Sequence, residues 1–497
     1  MGWNYGRLDD PEKYLYNYVK DVDYISGAAI LIRHSLWNET GGFDDRFAPA
    51  YCEDSDLAFE VRRHGKRVVY QPDSVVIHFE GVSNGTDVAG TGLKRYQAVN
   101  QEKFKEKWAE VLKDQQKNTG DPNPFTARER SSGKKTVLVI DHYVPQRDRD
   151  AGSKTTFQYL KMFTEKGFNV KFLPDNFLRD EPYTHELQQM GIEVLYGDEI
   201  REGIFDWIEK NKGFISIAYL NRPHIAVKYI DFLKKNTKIK CIFYGHDLHY
   251  LRIKREYELT GDIRKRRESE YWRSIEFHVM EQSDMVYYPS QDEIDDIHAR
   301  RPEIPAKAIT AYIYDDPVKA DYGKREDLLF VGGFRHPPNA DGVKWFASSV
   351  WPLIRKELPD ARFLIAGSHP TEEIEALNGK DGTEVLGFVS DEELSELYKS
   401  AKLTVVPLRY GAGVKGKVVE ALSEGSVIVT TSVGAEGIPE AETVMAVADT
   451  PSSFAEKVVS LYNDSEKLKL MSAAEPEFIK KHYSTAAAWA VIERDFA

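Results

Sequence analysis

A glycine-rich turn late in the chain has the residue types and spacing of an anion-binding site. The segment GAGVKGKVVEALSEG begins at Gly411 and fits two motifs. Gly411, Gly413 and Gly416 spell GxGxxG, the dinucleotide fingerprint, and the same stretch read through Lys417 spells GxxxxGK, a phosphate loop. A phosphate loop continues with a Ser or Thr that ligates magnesium, and Val418 stands there instead, which disfavours a metal-bound nucleoside triphosphate. The dinucleotide fingerprint opens the first βαβ unit of its domain, whereas this one comes late, so that motif alone is weak evidence.

A simpler interpretation needs only the backbone and three side chains. LTVVPLRY has the pattern of a strand and KVVEALSEG that of a helix, so the glycines leave backbone N–H groups at a helix N-terminus, where a diphosphate binds without a metal ion. Lys415 and Lys417 add positive charge. Glu420, one helical turn beyond Lys417, can accept hydrogen bonds from both hydroxyls of a ribose. A tight turn with solvated lysines is the alternative.

The longer stretch PLRYGAGVKGKVVEALSEGSVIVTTSVGAEGI resembles the donor-binding segment of family 4 glycosyltransferases, which are retaining enzymes of the GT-B fold. The similarity extends over residues 135–497. It implies that Gly413 and Glu420 bind a nucleotide-diphosphate sugar, Glu420 through the ribose. In that family an acid that touches the donor sugar stands eight positions before the ribose-binding glutamate. Ala412 occupies that position here, which leaves the selection of the sugar open.

A second segment of the same half carries a basic residue. VGGFRHPPNADGVKWF resembles the family segment that places a cation on the β-phosphate, which implies this role for Arg335. The family's second basic residue in the loop is missing, and Asn339 stands nearby. Lys415 or Lys417 can supply the missing charge. A surface arginine without a ligand is the alternative for Arg335.

The segment DHYVPQRDRDAGSKTTFQYL also follows a predicted strand and precedes a predicted helix. Gly152 lets the backbone approach a ligand, and Ser153 can cap the helix. The resemblance implies that this turn approaches the donor phosphate or the acceptor. Asp148 and Asp150 fit a solvated loop better than an acceptor site.

FYGHDLHYLR places His246 directly after the predicted strand KCIFYG. The resemblance maps His246 to the histidine that faces the sugar and orients it, or shields the developing oxocarbenium ion, rather than acting as a base. A buried structural histidine is the alternative. His246 and His249 also form an HxxH pair, but no third metal ligand follows at suitable spacing. Arg222 and His224 follow another strand and are expected to be structural or to line the cleft.

The chemistry implied by the resemblance needs few side chains. Backbone amides, Arg and Lys neutralise a departing nucleotide diphosphate, and the leaving phosphate accepts the proton of the acceptor hydroxyl. No carboxylate pair of the hydrolase type is required, and no cofactor is expected in this half.

The first 115 residues resemble a different family. DYISGAAILIRHSLWNETGGFDDRFAPAYCEDSDLAFEVRRHGKRVVYQPDSVVIHFEG is similar to the C-terminal half of a family 2 glycosyltransferase of the GT-A fold. CEDSDL implies that Asp54 is the catalytic base, with Glu53 and Asp56 beside it. His78 matches a position that can ligate the donor's metal, so a divalent metal is expected only in a complete GT-A domain.

This similarity covers half of a domain. The nucleotide-binding half and its Asp-x-Asp motif belong far upstream of the base, and the Asp21-Val22-Asp23 tripeptide comes too late in the fold to serve. We therefore expect Asp54 to be inactive in this chain, which is then either truncated or uses the segment as a scaffold or acceptor-binding platform.

Two series of alternating strands and helices must position these motifs. Apolar runs such as TVLVIDHY and KCIFYG form the first series, and LLFVGGF, RFLIAG and LTVVPL belong to a second that starts after residue 320. The alternation predicts an α/β fold of GT-B architecture, with two doubly wound Rossmann-like domains facing a cleft and an N-terminal partial GT-A fragment. The predicted boundaries are 1–112 for the fragment, 113–134 for a polar linker, 135–315 and 316–475 for the two domains, and 476–497 for a C-terminal helix that packs back on the N-terminal lobe.

Composition restricts the classes of partner and compartment. A chain of 497 residues with a net charge of −13 is not expected to bind nucleic acid, which requires a basic face. Two cysteines, Cys52 and Cys241, are too few for a disulfide framework. No apolar run is long enough for a membrane span and no signal peptide follows Met1, so we expect a cytoplasmic protein, with peripheral contact at the inner face of the membrane left open.

Together these features predict a retaining, metal-independent glycosyltransferase of bacterial surface polysaccharide synthesis. Its partners would be a nucleotide-diphosphate sugar and a glycan or lipid-linked acceptor, and two linked transferase modules would make such a chain bifunctional. The alternatives are an inactive glycosyltransferase-like scaffold in a polysaccharide assembly complex, an NAD(P)-dependent oxidoreductase, and a sugar-nucleotide epimerase of the same fold.

Overall fold

The structure is a computed structural model that describes residues 6, 8–77, 92–115, 129–320, 322, 325–411 and 413–497. The chain divides into two compact units. The first consists of residues 1–144 and 163–218, and the second of residues 145–162 and 219–497. Most of the predicted linker, His78 and Ala412 lie outside the described residues. Within the described ranges, no helix has the length and apolar character that crossing a bilayer requires.

The N-terminal part of the first unit contains little regular structure. Strands β1 (Lys20–Asp21) and β2 (Val69–Tyr70) form a short antiparallel pair. The helices are His34–Thr40, Glu53–Arg63 and Tyr96–Lys107. A small apolar cluster forms on the helix Glu53–Arg63, and the buried Trp108 packs against Phe59 of that helix with ring centroids 5.3 Å apart.

The N-terminal segment is bonded to the rest of the first unit. The backbone N–H of Val19 donates to the carbonyl of Gln188 over 2.9 Å, and the N–H of Arg130 donates to the carbonyl of Asp21 over 2.8 Å. The buried Lys171 forms ion pairs with Glu129 and Glu193. Two of these partners, Glu129 and Arg130, lie in the predicted linker, so its last described residues are part of the packed unit.

The remaining strands of the chain build two sheets. They are β3 (Thr136–Asp141), β4 (Asn169–Pro174), β5 (Glu193–Val194), β6 (Ile217–Asn221), β7 (Lys240–Tyr244), β8 (Met285–Tyr288), β9 (Ala306–Ala308), β10 (Glu326–Val331), β11 (Phe363–Ala366), β12 (Thr383–Gly387), β13 (Ala401–Val406), β14 (Ile428–Thr430) and β15 (Met445–Val447). Most of them are buried along their length, as expected for apolar strands covered by helices on both faces.

Helices follow nearly every strand. They are Ala151–Glu165, Tyr183–Gln189, Asp198–Asn211, Pro223–Asn236, His249–Thr260, Ile263–Gln282, Gln291–Arg300, Pro337–Trp345, Trp351–Glu357, Glu372–Glu375, Asp391–Ser400, Gly416–Ser423, Ser432–Ala435, Pro451–Asn463, Ser465–His482 and Thr485–Phe496. The last of these packs on the β7–β9 region, where Asp495 accepts a hydrogen bond of 2.6 Å from the Tyr287 hydroxyl and pairs with Lys307.

Both sheets have the doubly wound strand order. The seven-stranded sheet runs β5-β4-β3-β6-β7-β8-β9 and the six-stranded sheet β12-β11-β10-β13-β14-β15. All adjacent pairs of the six-stranded sheet are parallel. In each sheet the chain builds outward on one side of its first strand and then on the other. Ligands of such sheets bind where the order reverses, at the carboxyl ends of the two central strands. The prediction of two Rossmann-like sheets is confirmed.

Candidate functional site

The sequence motifs follow the central strands at these reversal points or, for His246, the strand next to them. In the six-stranded sheet, β10 ends at Val331 and leads into the loop with Arg335, and its neighbour β13 ends at Val406 and leads into the glycine turn. In the other sheet, β6 leads into Arg222 and β7 into His246. All of these residues lie in the second unit.

The glycine turn has the backbone that its composition predicts. Gly413 adopts a left-handed conformation with φ of 68°, and Gly416 begins the helix Gly416–Ser423. The N-cap residue of that helix, Lys415, makes no side-chain capping bond, and the Gly416 N–H is hydrogen-bonded to the Tyr312 hydroxyl. Side chains would not fit here, because a Cβ on Gly416 would lie 2.8 Å from the Tyr312 ring and one on Gly413 would lie 3.2 Å from Glu293 Oε1.

Lys415 and Arg255 hold this turn through their side chains. Arg255 donates a hydrogen bond of 2.7 Å to the Gly411 carbonyl, and Lys415 donates to the Gly413 carbonyl. Both cations pair with Glu436, at 2.7 Å for Arg255 and 3.2 Å for Lys415. Burial lowers the pKa of Lys415, while Glu436 opposes the shift. The charge of Lys415 is thus directed at Glu436.

Lys417 has a different environment. Its ammonium donates a hydrogen bond of 2.6 Å to Asn339 Oδ1, and the Asn339 amide donates one of 2.7 Å to the Gly333 carbonyl. A Cβ on Gly332 would overlap that ammonium, so the glycine after β10 makes room for it. Burial lowers the pKa of Lys417 to about 7, with Lys415 acting in the same direction and Glu420 against it. Lys417 is therefore a cation held by a neutral amide at the reversal point. Arg335, in the same loop as Gly332, is exposed to solvent.

Glu420 lies four residues into the helix Gly416–Ser423. Its Oε1 atom is 2.8 Å from the ammonium of Lys154, and its Oε2 atom accepts a hydrogen bond of 3.3 Å from the Tyr398 hydroxyl. Lys154 was not among the site residues predicted from the sequence. Its position two residues after Gly152, in the first turn of a helix that follows a strand, was the signal available.

The turn before the helix Ala151–Glu165 differs from the prediction in one respect. The Asp150 carboxylate accepts the backbone N–H of Ser153 over 2.8 Å and the Ser153 hydroxyl over 2.7 Å. Asp150 therefore caps the helix, and the expectation that Ser153 would do so was wrong, because Ser153 is already in the third helical position. Gly152 packs against Arg222, whose Nη2 atom would lie 2.5 Å from a Cβ there.

His246 is half-buried and adopts a left-handed backbone conformation with φ of 65°. Its Nε2 atom lies 3.1 Å from Asn221 Oδ1, and its ring packs on Tyr244 with centroids 4.3 Å apart. Because an amide oxygen only accepts, Nε2 is the protonated nitrogen in this contact. A Cβ on Gly245 would overlap the Tyr288 ring, so the approach to His246 is tightly packed.

Two buried carboxylates that sequence reasoning missed hold the turn after His246. Glu276 accepts the N–H groups of His249 and Tyr250 over 2.9 and 3.0 Å, and Glu293 accepts the N–H of Leu248 over 3.0 Å. Burial raises the pKa of each carboxyl group to about 8. Glu293 could have been predicted from the sequence as the last residue of the capping box that begins at Ser290. Glu276 lies inside a long helix, and no sequence motif around it indicates its role.

The HxxH pair does not combine into a larger ligand group. His249 Nδ1 lies 3.2 Å from Asp247 Oδ1, and the His249 ring packs on the Trp272 ring with centroids 5.1 Å apart. Among the residues that the structure describes, no group of three or more His, Cys, Asp or Glu side chains could hold a metal ion.

Asp54 lies in the first unit, in the first turn of the helix Glu53–Arg63. Its Oδ2 atom accepts the N–H of Gly27 over 2.9 Å and its Oδ1 atom accepts the N–H of Ser55 over 2.7 Å. Asp56 is buried and bonded to Trp108 and Lys107. The candidate metal ligand His78 lies outside the described residues.

Comparison with known proteins identifies two segments. Residues 325–464 match the family model described as glycosyl transferases group 1, and residues 9–101 match the model described as glycosyltransferase like family 2. The first segment contains the Arg335 loop, the glycine turn and Glu420, and the second contains Asp54.

Two curated relatives cover parts of the chain. An uncharacterized 44.6 kDa protein in the cps region of Klebsiella pneumoniae is 28% identical over 176 residues, which are 34% of this chain and 45% of the relative. The N-acetylglucosaminyl-diphospho-decaprenol L-rhamnosyltransferase of Mycobacterium tuberculosis is 37% identical over 70 residues, which are 14% of this chain and 22% of the relative. The chain thus spans less than half the length of each of these relatives.

Solved structures share the fold at low sequence identity. A sucrose-phosphate synthase from Thermosynechococcus elongatus has a TM-score of 0.56 and 14% identity and covers 73% of this chain and 98% of its own. TarM has a TM-score of 0.55 at 11% identity, with coverage of 73% and 98%. Anabaena Alr3699/HepE in complex with UDP has a TM-score of 0.54 at 11% identity, with coverage of 73% and 99%. The two Rossmann-like sheets have the GT-B fold that these solved structures share. Both resemblances drawn from the sequence are confirmed: residues 9–101 form a family 2-like glycosyltransferase segment, and residues 325–464, which contain the six-stranded sheet, form a group 1 glycosyltransferase segment.

Proposed function

We propose that this chain is a glycosyltransferase that moves a sugar from a nucleotide-diphosphate sugar to a glycan or lipid-linked acceptor. The observation that carries the proposal is the arrangement on the helix Gly416–Ser423, where a helix N-terminus, the Lys417 ammonium and the Glu420 carboxylate follow one another at the reversal point of the sheet. This arrangement matches a diphosphate and a ribose in turn.

In the proposed donor site, few groups bind the diphosphate. The diphosphate binds at the helix N-terminus, where the first N–H groups and the helix dipole favour an anion. Lys417 exchanges its amide partner for a phosphate oxygen, and Arg335 approaches from the adjacent loop. Lys415 serves indirectly by holding the turn through Glu436. A crystal structure of Anabaena Alr3699/HepE, a neighbour in fold, contains UDP-glucose, which supports a donor of this class.

We propose a retaining reaction without a metal ion. The bond between the anomeric carbon and the phosphate oxygen breaks, the acceptor oxygen bonds to that carbon from the same face, and the acceptor's proton passes to the leaving phosphate. The amides and Lys417 stabilise the departing charge. His246 orients the sugar. Its Nε2–H is engaged by Asn221, which supports a positioning role over that of a general base through this nitrogen.

The name of the Klebsiella relative, which places it in the cps region, supports a role in surface polysaccharide synthesis. The proposal assigns catalysis to the second unit. Asp54, whose carboxylate accepts two backbone N–H groups, is proposed to be inactive in this chain. The bonds between the N-terminal segment and residues of the first unit support a scaffold role for the family 2-like segment.

The experiment is a binding panel on the full chain by isothermal titration calorimetry. UDP-, GDP- and dTDP-sugars are tested, with a CMP-sugar as the monophosphate control. We expect at least one diphosphate donor to bind and CMP-sugar not to bind. Glu420→Ala should weaken the bound donor by about 1.5–3 kcal/mol, the value of a charged hydrogen bond. Glu440→Ala, which removes a carboxylate that pairs with Lys481 at 2.9 Å, is the matched control and should bind as the wild type does. Absence of binding by every donor, or equal affinity in Glu420→Ala, would refute the proposal.

A further inference from the structure

The Lys154 side chain is bonded to the carboxylate of Glu420, the group to which the proposed function assigns the binding of the ribose. Its ammonium lies 2.8 Å from Glu420 Oε1. The Lys154 side chain is 33% exposed and that of Glu420 is 24% exposed, so solvent, and hence a ligand, reaches both. On the other oxygen, Oε2, the Tyr398 hydroxyl donates a long hydrogen bond of 3.3 Å.

Other groups hold Lys154 in this position. Its ammonium lies 5.0 Å from the centroid of the Tyr314 ring, within the range of a cation–π interaction. Burial alone would lower the pKa of Lys154, but Tyr314 and Glu420 raise it above its ordinary value, so the side chain stays charged. Lys154 also belongs to the first turn of a helix whose start is capped by Asp150. The contact with Glu420 therefore does not depend on a loosely placed side chain.

A ribose presents two adjacent hydroxyls, and a carboxylate binds such a diol best with one hydroxyl on each oxygen. The ammonium on Oε1 stands where one of these hydroxyls would bind. We propose, on the basis of the proposed function, that Lys154 replaces one ribose hydroxyl as the hydrogen-bond donor to Glu420, so that this chain accepts nucleotides that lack a ribose hydroxyl, including 2′-deoxyribonucleotide donors such as dTDP-sugars.

The specificity for the nucleoside depends on which hydrogen bonds of Glu420 remain when a ribose hydroxyl is missing. A site that bonds both hydroxyls leaves a buried carboxylate oxygen without a partner when a deoxynucleotide binds, and such sites reject the analogue strongly. Here Lys154 keeps Oε1 paired, so the ligand adds its hydroxyl at Oε2, where the protein supplies only the long bond from Tyr398. Lys154 is in this sense a determinant of nucleoside specificity.

The test compares UDP, 2′-deoxy-UDP and 3′-deoxy-UDP by isothermal titration calorimetry on the full chain. Wild type is expected to bind at least one deoxy analogue within about 3-fold of UDP. Lys154→Met should discriminate against both analogues by about 10-fold or more, because Glu420 then depends on both hydroxyls. Lys154→Arg should keep the wild-type ratios. Lys481→Met, which breaks an ion pair of 2.9 Å with Glu440, is the control and should behave as wild type.

The ratio of affinities separates the proposal from a structural role, since a general loosening of the site would weaken all three ligands alike. Rejection of both analogues by wild type, by about 10-fold or more, would overturn the proposal, and so would unchanged ratios in Lys154→Met. The wild-type ratios decide the question even if that variant does not fold. If wild type binds no nucleotide at all, the proposed function fails. If wild type binds UDP but rejects both deoxy analogues, only the proposed role of Lys154 fails.

Discussion

Replacing Lys171 by methionine is expected to destabilise the first unit strongly. Lys171 on β4 is 0% exposed, and its ammonium lies 2.7 Å from Glu129 and 2.8 Å from Glu193. Glu129 also accepts hydrogen bonds from the Tyr18 hydroxyl and the Asn169 amide. One cation thus neutralises two buried carboxylates and joins the N-terminal segment to two strands.

The magnitude follows from the charges left behind. Removing one partner of a buried ion pair costs about 3–5 kcal/mol, and here two carboxylates lose their cation, so we expect the upper part of that range at pH 7.

Hydrogen exchange measured by mass spectrometry tests this in the full chain, where a single unfolding midpoint is not well defined. Peptides covering β4 and β5 should exchange about 10³-fold faster in Lys171→Met at pH 7, the equivalent of about 4 kcal/mol. Lys105→Met breaks an exposed ion pair of 2.6 Å with Glu102 and should change stability by less than about 1 kcal/mol. Adding Glu129→Gln and Glu193→Gln to Lys171→Met should restore part of the protection. Unchanged exchange in β4 would refute the electrostatic reasoning.

Three further predictions concern the second unit. The low pKa of Lys417, about 7, means that its charge is lost as the pH rises, so UDP affinity should fall by up to about 10-fold per unit above pH 7, and Lys417→Met should abolish that dependence; titration calorimetry from pH 6 to 9 measures it. Gly332→Ala should displace the Lys417 ammonium and weaken UDP binding without faster hydrogen exchange in the six-stranded sheet, whereas Gly133→Ala, where a Cβ meets nothing within 4 Å, should bind UDP normally. His246→Ala should lower turnover by about 10- to 100-fold at nearly constant donor affinity, and preserved turnover would show that the histidine is structural.

The sheets could be predicted because their signal is local. Each apolar run indicates by its own composition that the strand is buried, and the alternation of such runs with helical stretches favours a doubly wound strand order. The burial of Glu193 in the short strand β5 could not be predicted in this way, since Glu193 is paired with Lys171 on the neighbouring strand. A charged residue in a strand of two residues carries no apolar signal.

The contacts of the site could be predicted only as far as they depend on strand ends. The glycine turn and His246 follow strands, so their positions at the carboxyl ends of strands could be predicted from the pattern of the sequence. Lys154 and Glu420 are 266 residues apart, and nothing near either residue indicates its partner. The same is true of Glu276, whose carboxylate reaches across to the N-terminus of the preceding helix.

Lys415 and Lys417 show why spacing alone does not assign chemistry. The two lysines stand two positions apart on one turn, and the sequence offers both for the same phosphate. The fold separates them: Glu436 lies against Lys415, while an amide lies against Lys417. A carboxylate partner lowers the free energy of the charged lysine, so exchanging that partner for a ligand anion brings no gain. A neutral amide partner stabilises the positive charge of the ammonium less than a carboxylate does. A bound diphosphate therefore supplies the negative charge that the protein does not place beside Lys417. The residue with the weaker partner is therefore the one that is available for the ligand.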